Sequence, residues 1–233
     1  INSKYDHEII FHINDGSDGT REFIKNKGYK FTHSNTNVGL CSSINKAAKL
    51  SSFDYILYSH DDMYFCPDWD DVLIKEIKSL NHENFYLSGT MIEANSGHII
   101  YNFGETINNF RENELLSKYK EINFFDHQGS HFAPHLVSKK MWNKVGGFSE
   151  EFNPGIGSDP DFNMKLWNAG VRIFKGVSRF RVYHFGSIVL RKKKNFRRNK
   201  GSRTFLLKWG ITPTFFVKYY LNGGAFVNGI IKC

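Results

Sequence analysis

The apolar run Tyr55-Ile-Leu-Tyr58 passes through Ser59 into His60 and two adjacent acids, Asp61 and Asp62. Apolar residues that end in paired carboxylates describe a buried strand delivering acids to its carboxyl end, where open α/β sheets bind their ligands. Neighbouring carboxylates repel, so a positive charge must offset the cost. A hard divalent cation with oxygen ligands does so, and such a cation commonly carries a diphosphate. The chemistry predicted is a metal site for a nucleotide-linked substrate. Taken alone, a solvated turn with two exposed acids explains the pair as well.

The elements that would position these acids alternate. Glu8–Ile13 is expected as a strand ending in the turn-rich loop Asn14-Asp-Gly-Ser-Asp-Gly-Thr20. Arg21–Lys27 is a short helix stopped by Gly28, and Tyr29–His33 a second strand. Leu40–Leu50 has helical spacing, Phe53–Ser59 is the strand carrying the acids, and Asp71–Leu80 is an amphipathic helix. This order argues for a parallel, doubly wound α/β sheet. Farther on, Phe85–Ile92 and His98–Phe103 read as strands, residues 108–123 as polar and exposed, and Ser138–Val145 as a helix ended by Gly146 and Gly147. Asp159–Ala169 has the strongest helix signals, with Asp159 as N-cap, Pro160 in the first turn and Gly170 as stop. Val171–Phe174 and Phe180–Tyr183 read as two strands.

The 233 residues fit one large domain or two small ones, and 40% hydrophobic content supplies a core. Cys41, Cys66 and Cys233 are too few and too scattered for a disulfide framework or zinc cluster, which suits a reducing compartment. No stretch approaches the roughly 20 apolar residues that span a bilayer. The net charge of +8 is local. Residues 191–200 hold seven cations and no acid, so the rest carries about +1; the high pI is a local feature and does not mark the whole domain as a nucleic-acid binder, and nucleic acid at the cluster itself is a weak option. His127, His131 and His135 are four apart, but Gly129 and Pro134 interrupt any helix that would align them, which favours surface or acceptor-side histidines.

In order and spacing these segments resemble the family 2 glycosyltransferases of GT-A fold over about residues 8–187. Asn14–Thr20 resembles the nucleotide-binding loop, and Asn37-Val-Gly39 with Asn45 a second signature. Ser59–Asp62 stands at the metal-binding Asp-x-Asp, with His60 in the first acid's place. Gly146–Glu151, Gly157–Phe162 and Asn168–Gly170 resemble the acceptor-side signature, and His184 with Gly186 the closing histidine. The family's opening strand and helix, roughly 30 residues, do not precede residue 8, so a fragment or a lost start is expected.

The resemblance implies a GT-A, mostly parallel sheet flanked by helices over residues 1–190, nucleotide-binding to about 83 and acceptor-binding after it, with a basic and aromatic extension over 191–233. It implies inverting transfer from a nucleotide sugar, UDP being favoured, to a glycan or lipid-linked acceptor. Asp62 and His184 would hold Mn²⁺ or Mg²⁺, with Asp61 in support, and Asp15, Ser17, Asn37, Gly39 and Asn45 would line the nucleotide pocket. Asp159 would be the general base and Asp161 the second candidate; a helix N-terminus would keep Asp159 ionised. Simple roles stand beside these: Asp159 as a cap, His184 as a core histidine, Asp15 as a turn residue. The basic cluster could close over the diphosphate, meet an anionic membrane, or simply be solvated, and a cytoplasmic, membrane-peripheral location follows from the second option. The competing functional reading is a degenerate, non-catalytic binding protein that uses the tail for partner or membrane contact.

Overall fold

The structure is a computed structural model, and it describes residues 2–186 and 196–223. The chain opens with β1 (Ile10–Asn14), α1 (Thr20–Asn26), β2 (Lys30–Ser34), α2 (Leu40–Ala48) and β3 (Tyr55–Tyr58). β1 and β2 pair in parallel, Ile10 opposite Lys30 through Asn14 opposite Ser34. Then come β4 (Met63–Phe65), α3 (Trp69–Leu80), β5 (Phe85–Glu93), β6 (Ile99–Ile100) and α4 (Glu112–Lys118). The chain continues through β7 (His127–Gln128), β8 (His135–Ser138), α5 (Lys139–Val145), α6 (Ser158–Asn168), β9 (Ile173–His184) and α7 (Phe196–Trp209). A short helix, Pro213–Phe215, runs on into a π-helical turn at Phe216–Tyr220.

The second sheet has seven strands in the order β3-β8-β5-β9-β4, with β6 beside β5 and β7 beside β9. The α/β class with helices flanking a central sheet holds, and the seven-stranded sheet is mixed. β5 runs parallel to β9 and β6, while β3/β8, β5/β8, β4/β9 and β7/β9 are antiparallel. Helical crossovers impose parallel pairing, and only the first part of the chain alternates strand and helix regularly. β3 and β4 lie at opposite ends of the strand order, and residues 59–62 alone join them. That link carries His60 and Asp62.

β5 is buried along nearly its whole length, as a central strand covered on both faces must be. One core layer joins Tyr86, Val137, Trp142, Phe148, Phe162 and Phe174. Another packs Leu73 and partly buried Trp69 of α3 onto Phe85, Leu87 and Phe180. A third corrects the expectation that residues 108–123 are polar and exposed. Leu115 and Tyr119, one turn apart, bury against Phe103 and Tyr183, while the charged residues of α4 face outward. The two expected strands merge into one, β9, which starts at Ile173 and runs to His184 with an irregularity in its pairing to β5 after Val177; Lys175 inside it is paired with both Glu76 and Asp126 at 2.8 Å. The expected strand over 98–103 is reduced to Ile99–Ile100.

Helix α6 starts at Ser158, and its cap is Gly157, not Asp159. Gly157 has φ +87, and a Cβ there would lie 3.1 Å from the backbone of Gly201 in α7. A left-handed cap against another backbone requires glycine, and Asp159 is displaced into the first helical turn.

Candidate active site

Strand register builds the centre of the site. Met63 of β4 is paired with His184, the last residue of β9, and Phe185 N–H donates to the Asp62 carbonyl at 3.1 Å. Asp62 therefore stands beside His184, with 3.2 Å between Asp62 Oδ2 and His184 Nε2. β5 runs parallel to β9 with Ile92 opposite Tyr183, so Glu93 reaches the other face of the same imidazole, its Oε1 2.5 Å from Nδ1. His60 Nδ1 approaches Asp62 Oδ1 at 3.9 Å, and one donor atom each from His60, Asp62 and His184 lies within 4.8 Å of the others.

Burial disfavours a charged His184, yet Asp62 and Glu93, one at each ring nitrogen, lift it to about 9. Burial pushes Asp62 upward too, but the hydrogen bond and charge of His184, with help from His60, hold it below the usual carboxylate range. His60 is lowered, chiefly by burial. Asp62 Oδ1 and His184 Nε2 are shut off from solvent without a well-formed hydrogen bond among the described residues. Two imidazoles and a carboxylate suit a divalent transition ion such as Mn²⁺. Glu93 behind His184 is the carboxylate–histidine pairing that orients metal-binding imidazoles. The residues present therefore fit a divalent cation. Asp62 and His184 come together as predicted. Asp61 lies exposed on the turn outside the group. His60, read from sequence only as a departure from an acid, supplies the third donor. The sequence contained that signal, since imidazole is itself a metal ligand. Glu93 had none: only the β5/β9 register brings it here.

Tyr58 links this group to the second one. Its ring packs on His60 at 5.4 Å between centroids. Burial, then the charge of Asp159, then those of Asp62 and Asp61 raise its hydroxyl, which has no hydrogen-bond partner among the described residues. Asp159 thus shares one environment with the acids of the link. Its Oδ1 is shielded and unpartnered, and burial raises the carboxyl to about 7. This corrects the expectation of a fully ionised cap: burial outweighs the helix N-terminus. An acid titrating near neutral pH is a better general base than a strong one.

Asp161, the second candidate base, is occupied. It is fully buried, and its Oδ1 accepts from Trp209 Nε1 at 2.8 Å and meets Lys208 Nζ at 2.9 Å. Lys208 also pairs with Glu151 at 2.8 Å. Asp161 therefore docks the end of α7 onto the helix that carries Asp159. We expect Asp161→Asn to cost about 1–3 kcal/mol, the usual penalty for a buried donor that loses its partner, while turnover stays far above that of Asp159→Asn. Denaturant unfolding and steady-state rates check both. Turnover as low as that of Asp159→Asn in a stable protein would move the base to Asp161.

The nucleotide-side residues divide. Asp15 is exposed at the end of β1 in a left-handed turn (φ 63) and accepts from Ser17 Oγ at 2.9 Å. Asn37 is exposed and accepts from Gly39 N–H at 2.9 Å. These three polar side chains remain available to a ligand. Asn45 does not: its amide donates to the Phe148 carbonyl at 2.8 Å and accepts from the Phe148 N–H at 2.9 Å. It braces α2 against Phe148, so its side chain is occupied where a nucleotide contact was expected. Gly39 caps α2 and leaves room for Asn153, which accepts from Cys41 N–H at 3.0 Å and donates to Ser42 Oγ at 2.8 Å. A cavity of about 140 Å³ lies beside Asn153, lined also by Glu151, Phe152 and Ile156 and by Lys200 and Gly201 of α7. His135 is no surface residue; it is buried among Tyr58, Tyr86 and Phe162, and burial lowers it to about 3. His127 packs on His98, and neither joins a metal-binding group among the described residues. Residues 191–195 of the basic cluster, and Cys233, lie outside the described residues.

The architecture is that of the GT-A glycosyltransferases. GalNAc-T7 solved with UDP, GalNAc and Mn²⁺ superposes with a TM-score of 0.60 at 14% identity, over 87% of this chain and 43% of that one. S. aureus TarS 1-349 gives 0.51 at 17% identity, over 76% and 50%. Its complex with UDP gives 0.53 at 16%, over 78% and 53%. The chain spans about half the length of each. The family model of glycosyl transferase family 2 matches residues 1–136, more than half the chain, and the chain belongs to that family. No curated protein matches it.

Proposed function

We propose that this chain transfers a sugar from a nucleotide diphosphate donor, UDP-linked in the first instance, to a hydroxyl of a glycan or lipid-linked acceptor, with inversion. The observation that carries the reading is the convergence of His60, Asp62 and His184 at the end of the sheet, in a member of family 2. Similar folds solved with UDP, one of them also with Mn²⁺, support the choice of nucleotide and ion.

His60, Asp62 and His184 would hold the divalent cation, oriented by Glu93. The ion would supply positive charge against the leaving diphosphate. Asp15, Ser17 and Asn37 would meet the nucleoside. Asp159, in its carboxylate form, takes the proton of the acceptor hydroxyl as that oxygen bonds to the anomeric carbon and the bond to the diphosphate breaks. The cavity bordered by Glu151 and Lys200 would take part of the acceptor. A non-catalytic binding protein is the competing reading, and His60 in an acid's place is one of its grounds; as an imidazole in the donor set, His60 would not supply that ground.

The test is a thermal-shift panel of UDP, GDP, dTDP and CMP with and without Mn²⁺. We expect UDP with Mn²⁺ to raise the midpoint by several degrees, since saturation at 100 times Kd adds about 2.7 kcal/mol. UDP alone should do far less. Equal responses with and without Mn²⁺ would remove the metal from the reading, and no response to any nucleotide would remove the donor.

A further inference from the structure

We infer that the ring cluster around His98 is a sugar subsite, a platform for a neutral pyranose of the acceptor; the inference rests on the transferase reading above. Around His98 the ring centroids of His127, Phe124 and Phe132 lie at 4.9, 5.9 and 6.3 Å, and His131 lies against Phe132 at 3.9 Å. The cluster is open on one side. Phe132 is 43% exposed, and the other four rings are half-buried. Phe132 belongs to none of the three core layers.

The strands that build the metal group also place these rings. His98 stands in the turn that follows Glu93, its N–H donating to the Met91 carbonyl at 3.0 Å, and Glu93 touches His184. β8 starts at His135, opposite Tyr58, the last residue of β3. The loop holding His131 and Phe132 therefore enters the sheet at the end where the link with His60 and Asp62 leaves it. His127 is seated firmly: a Cβ on Gly176 would lie 2.0 Å from its Cε1, so β9 carries glycine where the imidazole rests.

A pyranose presents hydroxyls and an apolar face of C–H groups, and the cluster matches both. Its rings supply flat apolar faces. Its imidazoles supply one donor and one acceptor. Met91 N–H donates to His98 Nδ1 at 3.0 Å, so the neutral ring carries its proton on Nε2. His131 Nδ1 donates to the Gly129 carbonyl at 3.1 Å, so its Nε2 keeps a lone pair. A hydroxyl, itself donor and acceptor, can use both. Burial lowers all three histidines, and the neighbouring imidazoles help to bring His98 down to about 4, so the cluster is uncharged at neutral pH. The charged groups that act on these rings are the acids Glu93 and Asp126, which disfavour an anionic sugar.

Saturation-transfer NMR on the whole chain, with UDP and Mg²⁺ present, tests this. The probes are methyl glycosides of glucose, galactose, mannose and N-acetylglucosamine, with glucuronate and glucose 6-phosphate as anionic sugars and cyclohexanol as an apolar ring. Transfer to the ring C–H protons of a neutral glycoside is expected, with little to the anions or to cyclohexanol. Phe132→Ala should weaken that binding by about tenfold through lost apolar contact. His98→Asn retains an acceptor for Met91 N–H and removes the Nε2 donor; it should cost about fivefold, the worth of one hydrogen bond. Both variants should keep the thermal shift given by UDP with Mn²⁺. No transfer to any neutral glycoside, a stronger response of an anion or of cyclohexanol, or full binding by both variants overturns the inference. Absence of the UDP shift from the unaltered chain overturns the donor reading instead, and the glycoside measurement still decides this one.

Discussion

Asp159→Asn is expected to lower turnover by roughly 10³-fold, within the 10²–10⁴ that general-base removal costs, while leaving metal-dependent UDP affinity in place. Burial raises this carboxyl to about 7, so turnover in the unaltered protein should climb as pH rises through about 7 and level off above it. The variant should lose that limb. The same substitution should stabilise the fold. The folded carboxyl holds its proton up to about pH 7 and the unfolded one only to the ordinary value of 3.8. Between these the folded state binds more protons, and stability falls as pH rises through the window. Asparagine never ionises, so its advantage is absent below about pH 4, grows from there to 7 and is complete above 7. The shift sets a ceiling of about 4 kcal/mol, and a midpoint gain of about 5 °C at pH 8 corresponds to part of it. Turnover unchanged across the pH range would remove Asp159 from the chemistry. Lost turnover with lost stability would make it structural.

Asp62→Ala is expected to weaken Mn²⁺-dependent UDP binding by at least about 100-fold. Loss of an outer partner of a metal ligand costs 10–100-fold, and Asp62 is in the donor set itself. Glu93→Gln should therefore fall in that lower range, because it leaves all three donors and alters only the orientation and basicity of His184. Titration calorimetry of UDP at fixed Mn²⁺, on both variants, separates them. The order matters more than either value. If Glu93→Gln costs more than Asp62→Ala, the assignment is inverted, and Glu93 belongs to the donor set. If neither changes affinity, the donor site lies elsewhere.

Much of this site is readable along the chain because short-range physics writes it there. An apolar run that ends in acids must be a strand end, so Asp62 announces itself. Asp159 stands out beside Pro160, although its capping role proved wrong: the close passage of Gly201 gave the cap to Gly157. What the linear pattern cannot carry is the neighbour supplied by another strand. Glu93 becomes part of the site only because β5 lies in register beside β9, and Asn45 turns from donor contact to brace only because Phe148 comes to rest against α2. Asp161 looked free until Trp209 and Lys208, more than 40 residues later, closed on it.

The sequence by itself determined the α/β class, the family, the position of the acids and the separation of charge between body and tail, since these depend on local alternation and composition. The tertiary structure alone decided strand polarity, the inclusion of His60 and Glu93, and the burial that brings Asp159 to neutral pH. Each of these depends on contacts between distant segments, and a pKa or a donor set is a property of the surroundings that folding assembles.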